Sequence, residues 1–381
     1  MKLEQTEEQL TIKQMVKDFM KQEVAPHVEE WEKNDIFPKE VIDKLAELGL
    51  MGMIIPEHYG GAAIDYISSC LVIEEIAKIS ASLAITVSVH NSVGCYPVFK
   101  YGTEEQKQKY LIPMAKGEIL GGFALTEPNA GSDAASIKTK AVKDGNSYIL
   151  NGTKAWVTNA EISGIIIVQA LTNPGSGTKG MSSFIVETTS QGCIISKKEN
   201  KLGIRCSLTN EVNLEDCRIP AENLLGQEGL GYKIALDCLD GGRIGVSAQA
   251  MGIAEAATEK AIEYAQARAA FGKTLADLQA IQFMIADMAT RIEASRLLML
   301  KAAKLKNDGL RCSKESAMAK LYASEMCNEV TYKALQIFGA YGYSKEFPLE
   351  RYFRDSRVTT IYEGTSEILR IIIAREVLKS L

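Results

Sequence analysis

The sequence predicts a mainly α-helical protein with a β-domain set in its middle. Helices are expected over residues 1–119, strands over 120–228 and a bundle of long helices over 229–381. Three observations carry this. Apolar residues recur at helical intervals in both outer regions. Between them the texture changes to short apolar or alternating runs broken by Gly, Asn, Asp and Pro. In the last region many inward positions are alanine, which permits close helix–helix contact.

The first region opens with Thr6 and Gln9 at capping-box spacing, and Ile12, Val16 and Phe19 follow at helical intervals. "IIPEHYGGAAI" reads as a Pro/Gly-rich connection before further helices run to about Gly117. The central region begins at "GGFALTEPNAGSD". Its runs "GIIIVQA", "SSFIVET" and "NEVNLEDCRI" read as strands, and "KDGNSY" as a hairpin turn. From "GYKIALDCLDGGR" onward long helices return. Ile281, Ile285, Met288 and Ile292 form one stripe, and Ala319, Ala323, Met326 and Val330 another.

Bulk properties narrow the function. A length of 381 residues suits about two or three domains. The net charge of −5 argues against nucleic acid as a partner. No apolar run approaches the roughly 18 residues of a membrane span. The polar start, MKLEQTEEQL, is neither signal nor transit peptide, and eight scattered cysteines without CxxC spacing read as reduced thiols. A cytoplasmic location is the expectation. His27, His58 and His90 lie too far apart in sequence to suggest a metal site. "GSGTKG" (Gly175 to Gly180) formally matches a dinucleotide fingerprint, but a strand rather than a helix follows it. It reads as a loop between strands.

The informative stretches are longer. "FALTEPNAGSDAAS" packs Thr126, Glu127 and Gly131-Ser132-Asp133 into one loop, offering hydroxyls and backbone donors to a polar ligand. "NGTKAWVTNA" puts Trp156 and Thr158 two apart, on one face of a strand. "IYEGTSEILR" sets Glu363 at the mouth of an apolar run. With "RAAFGKTLADLQAIQF" and "QIFGAYGYSKEFPLERYFRDSRVTTIYEGTSEILR", these stretches resemble an acyl-CoA dehydrogenase over essentially the whole chain. The resemblance is closest to the short-chain, butyryl-CoA branch.

That resemblance implies an N-terminal helical domain, a middle β-barrel or sandwich and a C-terminal four-helix bundle. It implies FAD between the last two, acyl-CoA as substrate, an electron-transferring flavoprotein as partner and a homotetramer built as two dimers. Residue by residue, it assigns Phe123, Leu125, Thr126, Ser132, Trp156 and Thr158 to the flavin. Arg268, Phe271, Gln279 and the stretch Gln336 to Ala340, with Gly339, would complete a neighbouring subunit's flavin site, and Thr365, Ser366 and Glu367 would finish it. Many relatives have a second glycine where this chain has Ala340. Ser132 also falls to the substrate, with Asp240 and Arg243 facing its CoA portion and Tyr362 and Gly364 beside the acyl group.

Glu363 matches the catalytic base that removes the α-proton while hydride leaves the β-carbon. The rival position used in some branches, immediately before Arg243, is Gly242 and carries no base. Desolvation by substrate, flavin and Tyr362 is expected to raise the glutamate's pKa, and Gly364 to allow close approach. Short chains, about four to six acyl carbons, are expected, since each buried methylene contributes about 0.8 kcal/mol and only a closed pocket floor removes that gain. "SLAITVSVHNSVG" is the candidate floor. Two other readings remain open: an oxidase using oxygen, though those chains are generally longer, and a catalytically inactive interaction protein on the same fold.

Overall fold

In the computed structural model, which describes residues 5–379, the N-terminal region is built from α1 (Glu7–Phe19), α2 (Val28–Asn34), α3 (Lys39–Glu47), α4 (Tyr66–Ile79), α5 (Ala81–Val89), α6 (Tyr96–Tyr101), α7 (Glu104–Gln106) and α8 (Ile112–Ala115). The predicted capping box is present: Gln9 N–H donates to Thr6 Oγ1 at 3.2 Å, and Thr6 N–H donates to Gln9 Oε1 at 3.0 Å. "IIPEHYGGAAI" is the connection between α3 and α4. Helix α5 is apolar on all sides and every residue in it is buried, as such a helix must be. Its Thr86 hydroxyl turns back to the Ser82 carbonyl at 3.1 Å, which satisfies a polar group in the core. A wider helical turn, His90–Cys95, continues from it.

The β-domain comprises β1 (Leu120–Ala124), β2 (Lys140–Asp144), β3 (Ser147–Thr158), β4 (Ser163–Leu171), β5 (Met181–Glu187), β6 (Cys193–Lys198), β7 (Thr209–Pro220) and β8 (Leu224–Leu225). Its strand order is β6-β7-β3-β2-β4-β5-β8, with β1 parallel to β4. The β2–β3 hairpin turns on Gly145 and Asn146, and Gly145 has the positive φ of 57° that such a turn requires. "GSGTKG" lies in the loop joining β4 to β5, as expected. The halves of the sheet are linked through a single β2–β4 pair, Lys140 opposite Leu171. They fold over one shared core in which Tyr148 of β3 meets Phe184 of β5, ring centroids 4.9 Å apart.

The C-terminal helices are α9 (Gly231–Ala267), α10 (Gln279–Asn307), α11 (Ser313–Phe338), α12 (Leu349–Arg357) and α13 (Ser366–Lys379), with a small hairpin of β9 (Ala269–Ala270) and β10 (Lys273–Thr274) after α9. Helix α9 packs against both α4 and α11. Alanines at 254, 257, 261, 319 and 323 are fully buried and let these helices approach. At Gly252 a Cβ would come within 2.2 Å of the Glu74 carbonyl of α4, so the backbones nearly touch. No helix among the described residues is long and apolar enough to cross a membrane.

Buried charge ties α4, α9 and α10 together. Arg296 reaches Glu74 at 2.8 Å and also bonds Glu255, which in turn pairs with Lys78 at 2.6 Å. Removing one partner would strand the fully buried Glu74 carboxylate. Arg296→Met should therefore lower stability by about 3–5 kcal/mol, read as a drop in denaturation midpoint. Adding Glu74→Gln should recover part of that loss.

Candidate active site

Glu363 lies in the short link between α12 and α13, and its backbone is left-handed, with φ of 52°. Gly364 follows at φ 99°, a conformation reserved for glycine. A Cβ there would make only ordinary contacts with the protein itself, the nearest 3.5 Å from Leu369, so within the protein the backbone conformation is what demands glycine. Two cations bind the link's carbonyls. Lys320 Nζ donates to Gly364 O at 2.7 Å, and Arg243 Nε makes a longer bond to Glu363 O at 3.4 Å. Arg243 is itself held by Asp240 at 2.9 Å, and Asp240 accepts from Ser313 at 2.6 Å and Ser316 at 3.2 Å.

The Glu363 carboxylate rests on α9 at Gly242, where a Cβ would fall 1.9 Å from Oε2. Any side chain there would displace the acid. Oε2 is enclosed and has no hydrogen-bond partner among the described residues. Burial pushes the acid up to about 7, against the opposing pull of Arg243 and Lys320. The protein alone supplies this, before any substrate covers the group. Beside it, the Tyr362 hydroxyl is bound to Gln249.

A second cluster forms where β1 runs into the "LTEP" loop. Glu127 is buried and accepts from Lys138 N–H at 2.6 Å, Thr139 N–H at 2.9 Å and Lys154 Nζ at 2.8 Å. Lys154 also donates to Leu125 O at 3.1 Å, and Ala155 N–H to Thr126 O at 2.9 Å. This pair fixes the loop against β3. Burial brings the Lys154 ammonium down to about 8, with Glu127 opposing. A bulge follows between Lys154 and Val157, where Trp156 adopts a φ of 60° and stays 58% exposed. Trp156 and Thr158 share the less buried side of the strand, and the Thr126 and Thr158 hydroxyls bond no protein group among the described residues.

Helix α5 and its continuation lie between the two clusters. His90 Nδ1 accepts from Gly121 N–H at 3.0 Å, and Asn159 donates to Thr86 O at 3.1 Å. On the other side, a Cβ at Gly241 would lie 3.8 Å from Ser92. Other predicted positions lie apart. Ser132 is exposed, and no hydrogen bond or ion pair among the described residues joins Thr365, Ser366 or Glu367 to the Phe123–Thr158 group. Arg268, Gln279, Gln336, Gly339 and Ala340 are exposed too, and Phe271 is 92% exposed at a left-handed φ of 54°.

Sequence reasoning missed a cation-lined channel. A cavity of about 660 Å³ opens beside Asp240 and is bordered by Lys100, Lys179, Lys233, Lys306 and Arg311. Lys100 and Lys306 are bound to Asp237 at 2.6 Å and 3.1 Å, whereas Lys179 and Lys233 have no ion partner among the described residues. These cations come from separate elements, so no local spacing announces them. Arg243, expected at the CoA portion with Asp240, does not border this cavity; it turns to the Glu363 backbone. A second cavity of about 30 Å³ is lined by Cys70, Ile73, Ser88, Ser92, Gly241 and Gly245.

Residues 6–118, 122–217 and 229–378 match the N-terminal, middle and C-terminal domains of acyl-CoA dehydrogenase. The chain belongs to the acyl-CoA dehydrogenase family. Its relatives include an acryloyl-CoA reductase (NADH) of Anaerotignum propionicum, 48% identical over 98% of this chain and 95% of that one. The butyryl-CoA dehydrogenase of Megasphaera elsdenii superposes with a TM-score of 0.98 at 44% identity, covering 99% of this chain and all of that one. A chain from a structure described as the electron transferring flavoprotein of Acidaminococcus fermentans also reaches 0.98, at 47% identity with full coverage of both chains.

Acyl-CoA dehydrogenases are FAD-dependent oxidoreductases. The residues present fit that cofactor: an exposed indole for a ring system, and two threonine hydroxyls and a buried Ser366 hydroxyl with no partner among the described residues. Lys154→Met should free the "LTEP" loop, because Glu127 would keep its charge and lose its cation. Expected is a holoenzyme that sheds FAD, with flavin absorbance per chain reduced at least about tenfold after gel filtration.

Proposed function

We propose that this enzyme oxidises short-chain acyl-CoA thioesters to trans-2-enoyl-CoA, with Glu363 taking the α-proton. The observation that carries the reading is the carboxylate over Gly242, enclosed and unpartnered at Oε2 and raised to about 7. A base for so weak a carbon acid gains from being stronger than an ordinary carboxylate, yet it must be ionised near neutral pH. The Glu363 N–H bonds no protein group among the described residues and is free to donate to a thioester carbonyl as charge develops on its oxygen. FAD, when bound, accepts the hydride leaving the β-carbon.

The lysines and Arg311 around the larger cavity suit the phosphates of CoA, beside an Asp240 fixed by two serines. Segment 82–94 lines the smaller cavity through Ser88 and Ser92 and serves as the floor of the acyl pocket. Electrons would pass on to an electron-transferring flavoprotein, in keeping with the Acidaminococcus neighbour. The exposed Arg268, Phe271, Gln279, Gln336, Gly339 and Ala340 would serve a second subunit's flavin within a homotetramer. Protonated Glu363 could return a proton to the α-carbon in the reverse direction, which the acryloyl-CoA reductase relative favours.

Glu363→Gln should keep its FAD and lower kcat about 10²–10⁴-fold with little change in substrate binding. Flavin reduction by butyryl-CoA at near wild-type rate would refute the assignment. In the wild type, kcat/KM should rise with pH through about 7 as the acid ionises. The sign for stability is opposite. A carboxyl raised from 4.5 to about 7 stabilises the fold fully below 4.5, and that contribution is lost as pH rises through about 7. Glu363→Gln should flatten this slope in melting temperature against pH.

Chain length gives an independent test. The smaller cavity, about 30 Å³, has room for about two water-sized groups, so added methylenes find no apolar wall to enter. Selectivity should peak near butyryl- to hexanoyl-CoA, instead of rising by the ~0.8 kcal/mol per methylene of an open pocket. A steady rise of kcat/KM to palmitoyl-CoA would show the floor open.

A further inference from the structure

We infer that Lys320 is the positioning residue of this site: its ammonium ties the Gly364 carbonyl, holding Glu363 in its left-handed turn, and sets a buried positive charge against the carboxylate. The inference rests on the reading of Glu363 as base.

Lys320 is fully buried in α11, among Ala317, Ala319 and Ala323. A buried ammonium is costly, and the one hydrogen bond it makes among the described residues is to Gly364 O at 2.7 Å. A lysine kept at such cost needs a reason beyond one carbonyl, and the surrounding charges supply it. Arg243 of α9 is neutralised by Asp240 at 2.9 Å. Glu325 of α11 is paired with Arg370 of α13 at 2.6 Å. Glu367 is exposed to water, and Tyr362 is a neutral phenol bound to Gln249. Among the described residues of this cluster, that leaves Glu363, enclosed at Oε2, and Lys320 without an ion pair of their own. They are opposite in sign and not in direct contact, so each moderates the other across the enclosure. Burial draws them together from opposite sides: Lys320 falls to about 7 and Glu363 rises to about 7.

Lys320→Met keeps the side chain's length while removing its charge and donor; Lys320→Gln removes the charge and keeps a donor. The test follows exchange of α-protons with D2O in holoenzyme bound to a thioester carrying sulfur in place of its β-carbon. That ligand has an acidic α-position but no hydride to lose, so exchange reports the base apart from flavin reduction. Both variants should move the acid limb of the exchange profile upward by about one pH unit, and exchange at pH 7 should fall about fivefold. A limb left in place in either folded, FAD-loaded variant, whatever its rate, would overturn the inference, because a purely structural lysine changes the rate without moving the limb. Glu363→Gln is the control. If it exchanges as fast as wild type, the base assignment fails; if it does not exchange while the Lys320 limb stays put, only the role of Lys320 fails.

Discussion

The constraint on which the rest of the site depends is the left-handed backbone at Glu363. An ordinary side chain at φ 52° costs about 1–3 kcal/mol and persists only where its surroundings over-determine it. Here they do so from three helices. Helix α9 supplies the bare Gly242 surface and the Arg243 fork, α11 supplies Lys320, and α13 starts at once at Ser366. Turning the residue to the ordinary region would swing its carboxylate off Gly242 and break both cationic bonds to the link. One strained residue thus explains a glycine, an arginine and a buried lysine that are distant in sequence.

Strain recurs at exposed and at buried positions. Trp156 and Phe271 also have positive φ and are the exposed aromatics of the two clusters assigned to flavin. Ile204, with φ of 46°, is a β-branched residue and the costlier case. Its N–H is taken by Asp355 of α12 at 2.6 Å, while Glu32 of α2 accepts from the neighbouring Arg205 N–H at 3.0 Å and from the Ser82 hydroxyl. Burial and the nearby Glu32 push Asp355 up to about 7. This junction clamps the β-domain to both helical regions, so the loop carrying Thr126 and the helix carrying Gly242 keep a fixed relation.

Much of this was legible in the sequence, and the exceptions have physical causes. The capping box at Thr6, the Gly145–Asn146 turn and the β4–β5 loop follow from local rules that tertiary packing did not override. Lys154 shows where such rules end. Residues 154, 156 and 158 share one face under a period of two, yet Lys154 is buried and Trp156 is exposed, because the intervening bulge turns the strand. Lys320 escaped for another reason. The stripe through Ala319, Ala323, Met326 and Val330 marks one buried side of α11, but α9, α10 and α13 enclose the helix on several sides. A charged residue beside a stripe reads as solvated until its neighbours are known. Gly364 stood out by position, but its φ of 99°, a second demand for glycine, is not visible in a string of letters.

Charge placement completes the argument. The chain carries a net −5, a sign that repels an anionic thioester at long range, but a total charge says little about a local potential. Five cations border the large cavity, and Lys179 and Lys233 keep their charge uncommitted there. At the reacting end the arrangement reverses: Glu363 and Lys320 are enclosed, and the other charges near them are paired or exposed. Solvent-screened cations suit phosphates, whose charge does not change during the reaction. An enclosed, nearly balanced pair suits the atoms whose charge does change, because water is not there to mask a proton's departure. On the proposed reading, the separation between these two environments, with Asp240 bordering the channel and binding Arg243, would let one part of the molecule hold the substrate while another sets the basicity of Glu363.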